Sequence, residues 1–100
     1  MSYHPNERRY LGEELVEERG RPYAAVLGAM AGLAIRADGF TGSRQKTVKS
    51  EVAGMRRALV IILKTEHDMT ETDAERTVKA DEQRWREATA KDEASIDSAM

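Results

Sequence analysis

Five cations on one flank of a single predicted helix are the side chains of this sequence best placed to do chemistry. At about 100° per residue, Lys46, Lys49, Arg56, Arg57 and Lys64 share an arc beside the apolar face of the stretch 47–64, with no acid among them. A one-sided basic stripe is what binding to a phosphate backbone uses. The same stripe can dock the acidic C-terminal third of its own chain, and no groove-reading motif accompanies it, so internal docking is the favoured expectation. Exposed ion pairs contribute only about 0–1 kcal/mol each, which makes such docking salt-sensitive. The loop before this helix is too long, and the helix preceding that loop too apolar, for an ordinary DNA-binding helix–turn–helix.

The other chemistry-bearing clusters read as surface. Glu13, Glu14, Glu17 and Glu18 look like paired carboxylates, but a di-iron bundle needs Glu-x-x-His pairs and the chain has none. With Arg19 and Arg21 close by, they read as a solvated face. Glu66, His67, Asp68 and Glu71 could hold zinc weakly, yet the other histidine, His4, is far away, and a solvated acidic turn is the expectation. Asp38 and Gly39 lack the repeated oxygens of a calcium loop. Gly39 and Gly42 lack the preceding strand and following Gly-Lys-Ser/Thr of a phosphate loop. There is no glycine elbow around a serine and no cysteine at all. The expectation is no catalytic residue, no metal and no cofactor.

The elements that must position these residues are helices. Val48, Val52, Met55, Leu59 and Ile62 recur at alternating steps of four and three, one helical face. The run Ala58–Leu63 is apolar throughout and predicts cover on nearly all sides. β-branched Val60, Ile61 and Ile62 would also suit a buried strand, but no second such run exists to pair with it. Upstream, Pro5 suits a first helical turn and Gly20 a stop, with Tyr10, Leu11, Leu15 and Val16 forming a narrow apolar stripe. Pro22 opens a second helix that ends before Gly39. Its Gly28 and Gly32 cost roughly 1 kcal/mol each against alanine, which implies that another backbone passes very close. Phe40 is placed as a plug for the end of the bundle, and Ser43 as the N-cap of the third helix.

After Gly54 there is neither Gly nor Pro, which favours long helices. A turn is expected within 65–72, capped by Asp68 with Glu71 or by Thr72 with Glu75. The fourth helix then runs from about Thr72 to the low nineties on a sparse stripe of Ala74, Val78, Trp85 and Ala88, interrupted by Asp81 or Glu82. The fold expected is all-α, a single domain over 1–100. It is a bundle of about four helices around a central hairpin (22–36 and 43–65), with 1–5 and 92–100 flexible. The run before Ala37-Asp38-Gly39 is similar, over a few residues, to the helix–turn–helix of tellurite-resistance TerB-type domains. The acidic positions of that family beyond the turn are absent, so no residue role is carried over.

Charge is the most informative compositional feature. Residues 36–64 carry seven cations and two acids, whereas 65–100 carry five cations and eleven acids. An apolar fraction of 40% over 100 residues makes a small core, for which self-association is a natural support. A homodimer is expected from the thin face of the second helix and the all-round apolar end of the third. The N-terminal residues carry no apolar run, and the apolar segment 22–35 is too short to span a bilayer, so cytoplasm and no membrane contact are expected. The functional expectation is a small regulatory protein that binds a larger protein through Trp85, Val78 and Glu82 of the acidic helix. The alternative is a nucleic-acid-associated protein that uses the basic stripe, with the acidic helix as competitor. Eleven arginines against five lysines, with fourteen alanines, fit a GC-rich genome and a bacteriophage or mobile-element source.

Overall fold

A computed structural model describes the backbone of residues 6–99 and the side chains of residues 6–94. Four helices follow in order: α1 (Glu7–Arg19), α2 (Arg21–Ala37), α3 (Gly42–Glu66) and α4 (Glu71–Ala99). Among the described residues there is no strand, so the run Ala58–Leu63 is helical and the all-α bundle holds. α2 packs most extensively on α3, forming the central hairpin. α4 lies against all three other helices, while α1 and α3 flank it and scarcely touch each other. The expected flexibility of 1–5, and the place of Pro5, lie outside the described residues.

The turns explain the boundaries. Gly20 ends α1 with φ near +95°, a conformation glycine adopts without a Cβ penalty, and its N–H donates to the Val16 carbonyl at 2.9 Å. Pro22 then sits in the first turn of α2, where a missing N–H costs nothing. Between α3 and α4 the chain does break. Asp68 adopts φ near +53°, which short polar side chains tolerate, and both His67 and Met69 turn their N–H groups back to the Leu63 carbonyl. The cap of α4 is Thr70, whose Oγ1 accepts the Asp73 N–H at 3.2 Å, rather than Asp68 or Thr72.

Two further expectations are corrected. α3 begins at Gly42 after Thr41, so Ser43 lies inside its first turn and is not its cap. α4 does not stop in the low nineties but continues to Ala99. Asp92, expected in a flexible end, is fully buried.

The core is built from Leu15, Tyr23, Leu27, Met30, Leu59, Leu63 and Val78, all essentially inaccessible to solvent. On α3 the predicted face enters the core, with Val52 and Leu59 buried and Val48, Met55 and Ile62 packed at its edge. The expected all-round cover of Ala58–Leu63 fails. Val60 and Leu63 are enclosed, but Ile61 stays 48% exposed and Ala58 is also exposed, because α2 and α4 cover only adjacent sides of α3. Phe40 is half-buried outside the core cluster, with the Arg44 guanidinium 4.2 Å above its ring. Gly28 explains its own presence. A Cβ there would meet the Trp85 ring at 3.1 Å and 3.3 Å, so the close approach is made by an indole of α4 and not by a backbone. Gly32, one turn on, faces open space.

Candidate docking groove between the third and fourth helices

The inner seam of α4 is set by Ala74, Val78, Asp81, Trp85, Ala88 and Asp92, which recur at alternating steps of four and three. Two of these positions are buried aspartates, each held by donors from other helices. Asp81 accepts from Arg19 Nε at 2.6 Å, from the Tyr23 hydroxyl at 2.7 Å and from Arg84 Nη1 at 3.0 Å. Burial alone would raise its carboxyl pKa, but the bonds from Arg19 and Tyr23, the Arg19 charge and Arg84 outweigh that and hold it below the usual carboxylate range. The same arrangement pushes the Tyr23 phenol well above its ordinary value, first by burial and then by its bond to Asp81.

Asp92 acts at the start of α1. Its oxygens accept the backbone N–H groups of Glu7 at 2.8 Å and Arg8 at 3.2 Å, and Arg8 Nε at 2.8 Å. A first-turn helix has unpaired N–H groups, and here a carboxylate from α4 satisfies two of them in place of a local cap side chain. Burial again opposes ionisation, and the Arg8 bond with the two backbone N–H groups wins, so the Asp92 carboxyl lies below its ordinary range. These two anchors fix α4 along α1 and α2.

On its other side α4 meets α3 through one partly buried pair and two exposed ones. Arg56 bonds Glu82 at 2.7 Å, and Arg57 and Lys64 both reach Glu71. First the bond from Arg57 and then that from Lys64 lower the Glu71 carboxyl. Three cations of the predicted stripe therefore serve the internal docking expected of it. Lys46 and Lys49 remain exposed, and no carboxylate among the described residues pairs with either.

Among these pairs the two helices leave a groove of about 830 Å³. Ala53 and Val60 of α3 and Ala80 of α4 supply apolar lining. Arg56, Arg57, Arg76 and Lys79 supply four cations, against the two carboxylates of Glu75 and Glu82, with Gln83 beside them. Among the described residues Arg76 and Lys79 are in no ion pair, so their charge faces outward. A smaller recess of about 240 Å³ continues past Arg56, lined by Lys49, Val52, Arg86 and Asp38.

Of the side chains expected to contact a partner, Glu82 lines this groove, whereas Val78 and Trp85 lie outside its lining. Val78 is 1% exposed in the core, Trp85 packs on Gly28, and Glu82 is tied to Arg56 and Arg86. All three hold the bundle together, because the seam runs through Asp81 and turns them inward. The outward side of α4 instead carries Arg76, Lys79, Ala80 and Gln83. Glu14 and Glu18 pair with Arg84 as part of the surface, and His67 Nε2 lies 2.9 Å from the Arg19 carbonyl at the end of α1. Sequence reading missed Asp81 and Asp92 as seam residues. The spacing carries the signal, but only when an acid is allowed where an apolar residue is expected.

No helix among the described residues is long and apolar enough to cross a membrane. No protein-family model, curated protein or solved structure matches the chain.

Proposed function

We propose that this is a small non-enzymatic interaction protein of the cytoplasm that regulates a larger protein by holding a segment of it in the α3–α4 groove. The observation that carries this reading is the groove itself, an open recess with apolar lining and an excess of cations, two of them without a carboxylate partner among the described residues. Such a lining suits a segment with apolar side chains along one edge and carboxylates along the other. The free protein, on the same reading, is a homodimer. Nucleic acid is the weaker reading, since Arg56, Arg57 and Lys64 are each engaged by α4 and, among the described residues, only Lys46 and Lys49 of the stripe have no carboxylate partner.

The test uses three immobilised proteins: the wild type, an Arg76→Glu/Lys79→Glu variant and a Lys46→Glu/Lys49→Glu variant. Quantitative mass spectrometry of what each retains from a cell lysate is expected to find a protein held by the wild type and by the second variant, and lost from the first. Equal retention by all three removes the groove from the reading. Fluorescence polarisation with duplex and single-stranded oligonucleotides runs in parallel. Binding there that depends on Lys46 and Lys49 favours the nucleic-acid function instead.

A further inference from the structure

We infer that in the free protein each α3–α4 groove is occupied by α1 of a second copy, so that a larger partner gains access by displacing that copy. The inference rests on the groove reading above and adds what covers the groove at rest.

Three observations point to this occupant. Tyr10 is 56% exposed, more than any other large apolar side chain described, and Glu14 and Glu17 follow it at steps of four and three on the same exposed strip of α1. Tyr10 and Glu14 line a shallow recess of about 150 Å³ between α1 and α4, together with Glu87 and Lys91 of α4. The α3–α4 groove is bounded by Arg76, Lys79, Ala80 and Gln83 of α4. These residues and Glu87 and Lys91 follow one another along the outward side of α4, so both recesses open beside a single ridge, with α1 on one flank and α3 on the other.

The two recesses also differ in sign. The groove sets four cations against two carboxylates, whereas the α1 recess sets Glu7, Glu14 and Glu87 against Arg84 and Lys91 beside the Tyr10 ring. Glu14 is held by Arg84 at 3.2 Å, and Glu17 is in no ion pair among the described residues. A two-fold axis crossing the ridge near Gln83 exchanges the recesses, placing each Tyr10 on the other copy's apolar lining and each Glu14 and Glu17 near the other copy's Arg76 and Lys79. Such a contact is isologous and closes at two subunits. It also buries the most exposed aromatic side chain among the described residues and pairs cations that are otherwise left in solvent.

Charge-swap complementation tests this with purified protein alone. Light scattering on a sizing column at about 50 µM, where a micromolar dimer is populated, is expected to give a dimeric mass for the wild type. That mass falls toward the monomer when salt rises from about 50 to about 500 mM. The Glu14→Lys/Glu17→Lys and Arg76→Glu/Lys79→Glu variants are each expected to be monomeric, with the helical circular dichroism of the wild type. Mixed in equal amounts, they are expected to recover the dimeric mass, because each reversed surface then meets its reversed complement and each native surface its native one. The recovery also shows that both variants fold. A monomeric wild type, a mixture that stays monomeric, or a dimer that survives both variants and is broken by Ile61→Glu overturns the inference. If any of these is found while the Arg76→Glu/Lys79→Glu variant still loses the captured protein, the groove function stands and only the self-association falls.

Discussion

On the side of α4 that faces α1 and α2, two aspartates are buried and each is surrounded by donors. On the side that faces α3, half-exposed cations share the carboxylates of Glu71 and Glu82 and leave a groove between them. The contrast separates two uses of charge. A buried carboxylate is tolerated only with its partners in place, so it specifies which helices meet and in what register. An exposed pair gains little from being made and loses little when exchanged for a pair with another molecule. The first side is therefore scaffold, and the second is the side on which the proposed function places another protein.

The largest effect should come from breaking the buried side at Asp81. Asp81→Ala leaves Tyr23 without its acceptor and removes the carboxylate that Arg19 holds, and is expected to cost about 3 kcal/mol in urea unfolding followed by circular dichroism. Adding Arg19→Met and Tyr23→Phe should recover most of that loss, since the site then holds no unpartnered polar group. The pH dependence carries the same signature. Asp81 and Asp92 both have lowered carboxyl pKa values in the folded protein, so their stabilisation is complete above the unfolded carboxylate range, about pH 4. It is lost as pH falls through the lowered values. The urea midpoint should be flat from neutral pH to about pH 5 and drop below about pH 4, and an Asp81→Asn/Asp92→Asn variant should flatten the drop.

Asp92→Ala should cost less, about 1–2 kcal/mol, because Arg8 can turn to water and what remains is the loss of a cap. The damage should be local. Amide hydrogen exchange of Glu7 and Arg8 is expected to accelerate more than that of Leu59 or Leu63, and uniform acceleration along the chain would assign Asp92 a role beyond α1.

How far the sequence revealed this contrast differs by region. The helical face of α3 and the internal use of Arg56, Arg57 and Lys64 follow from spacing and charge, both of which are local. The buried aspartates were hidden because their partners lie some sixty to eighty residues away, at Arg19, Tyr23 and Arg8. A carboxylate in an otherwise apolar seam reads as an interruption until its donors are known. The seat of Trp85 was hidden for a related reason, since nothing near it in the chain announces that Gly28 provides it. The paired glycines of α2 show the limit well. Their spacing implied one close approach for both, whereas only Gly28 has a neighbour. Gly32→Ala should therefore stabilise the protein by up to about 1 kcal/mol. Gly28→Ala should gain nothing, since the Trp85 ring at 3.1 Å must move to admit a methyl. Equal thermal shifts for the two variants would show that Trp85 does not sit on Gly28.

The smallest effect on stability should come from the α3–α4 side, and its smallness carries information. Arg57 and Glu71 are both about half exposed, so losing their bond returns each to water at little cost. Arg57→Gln is expected to leave the urea midpoint unchanged. The carboxyl of Glu71 should nevertheless respond, because Arg57 is the main cause of its lowered pKa and Lys64 only the second. Its titration, followed by carboxyl NMR, should move upward toward the ordinary glutamate range and stay short of it while Lys64 remains. A midpoint that falls together with the shifted titration would mean that the rim is part of the scaffold. A shifted titration with an unmoved midpoint leaves the cations of the rim free to exchange an internal carboxylate for one supplied by another chain.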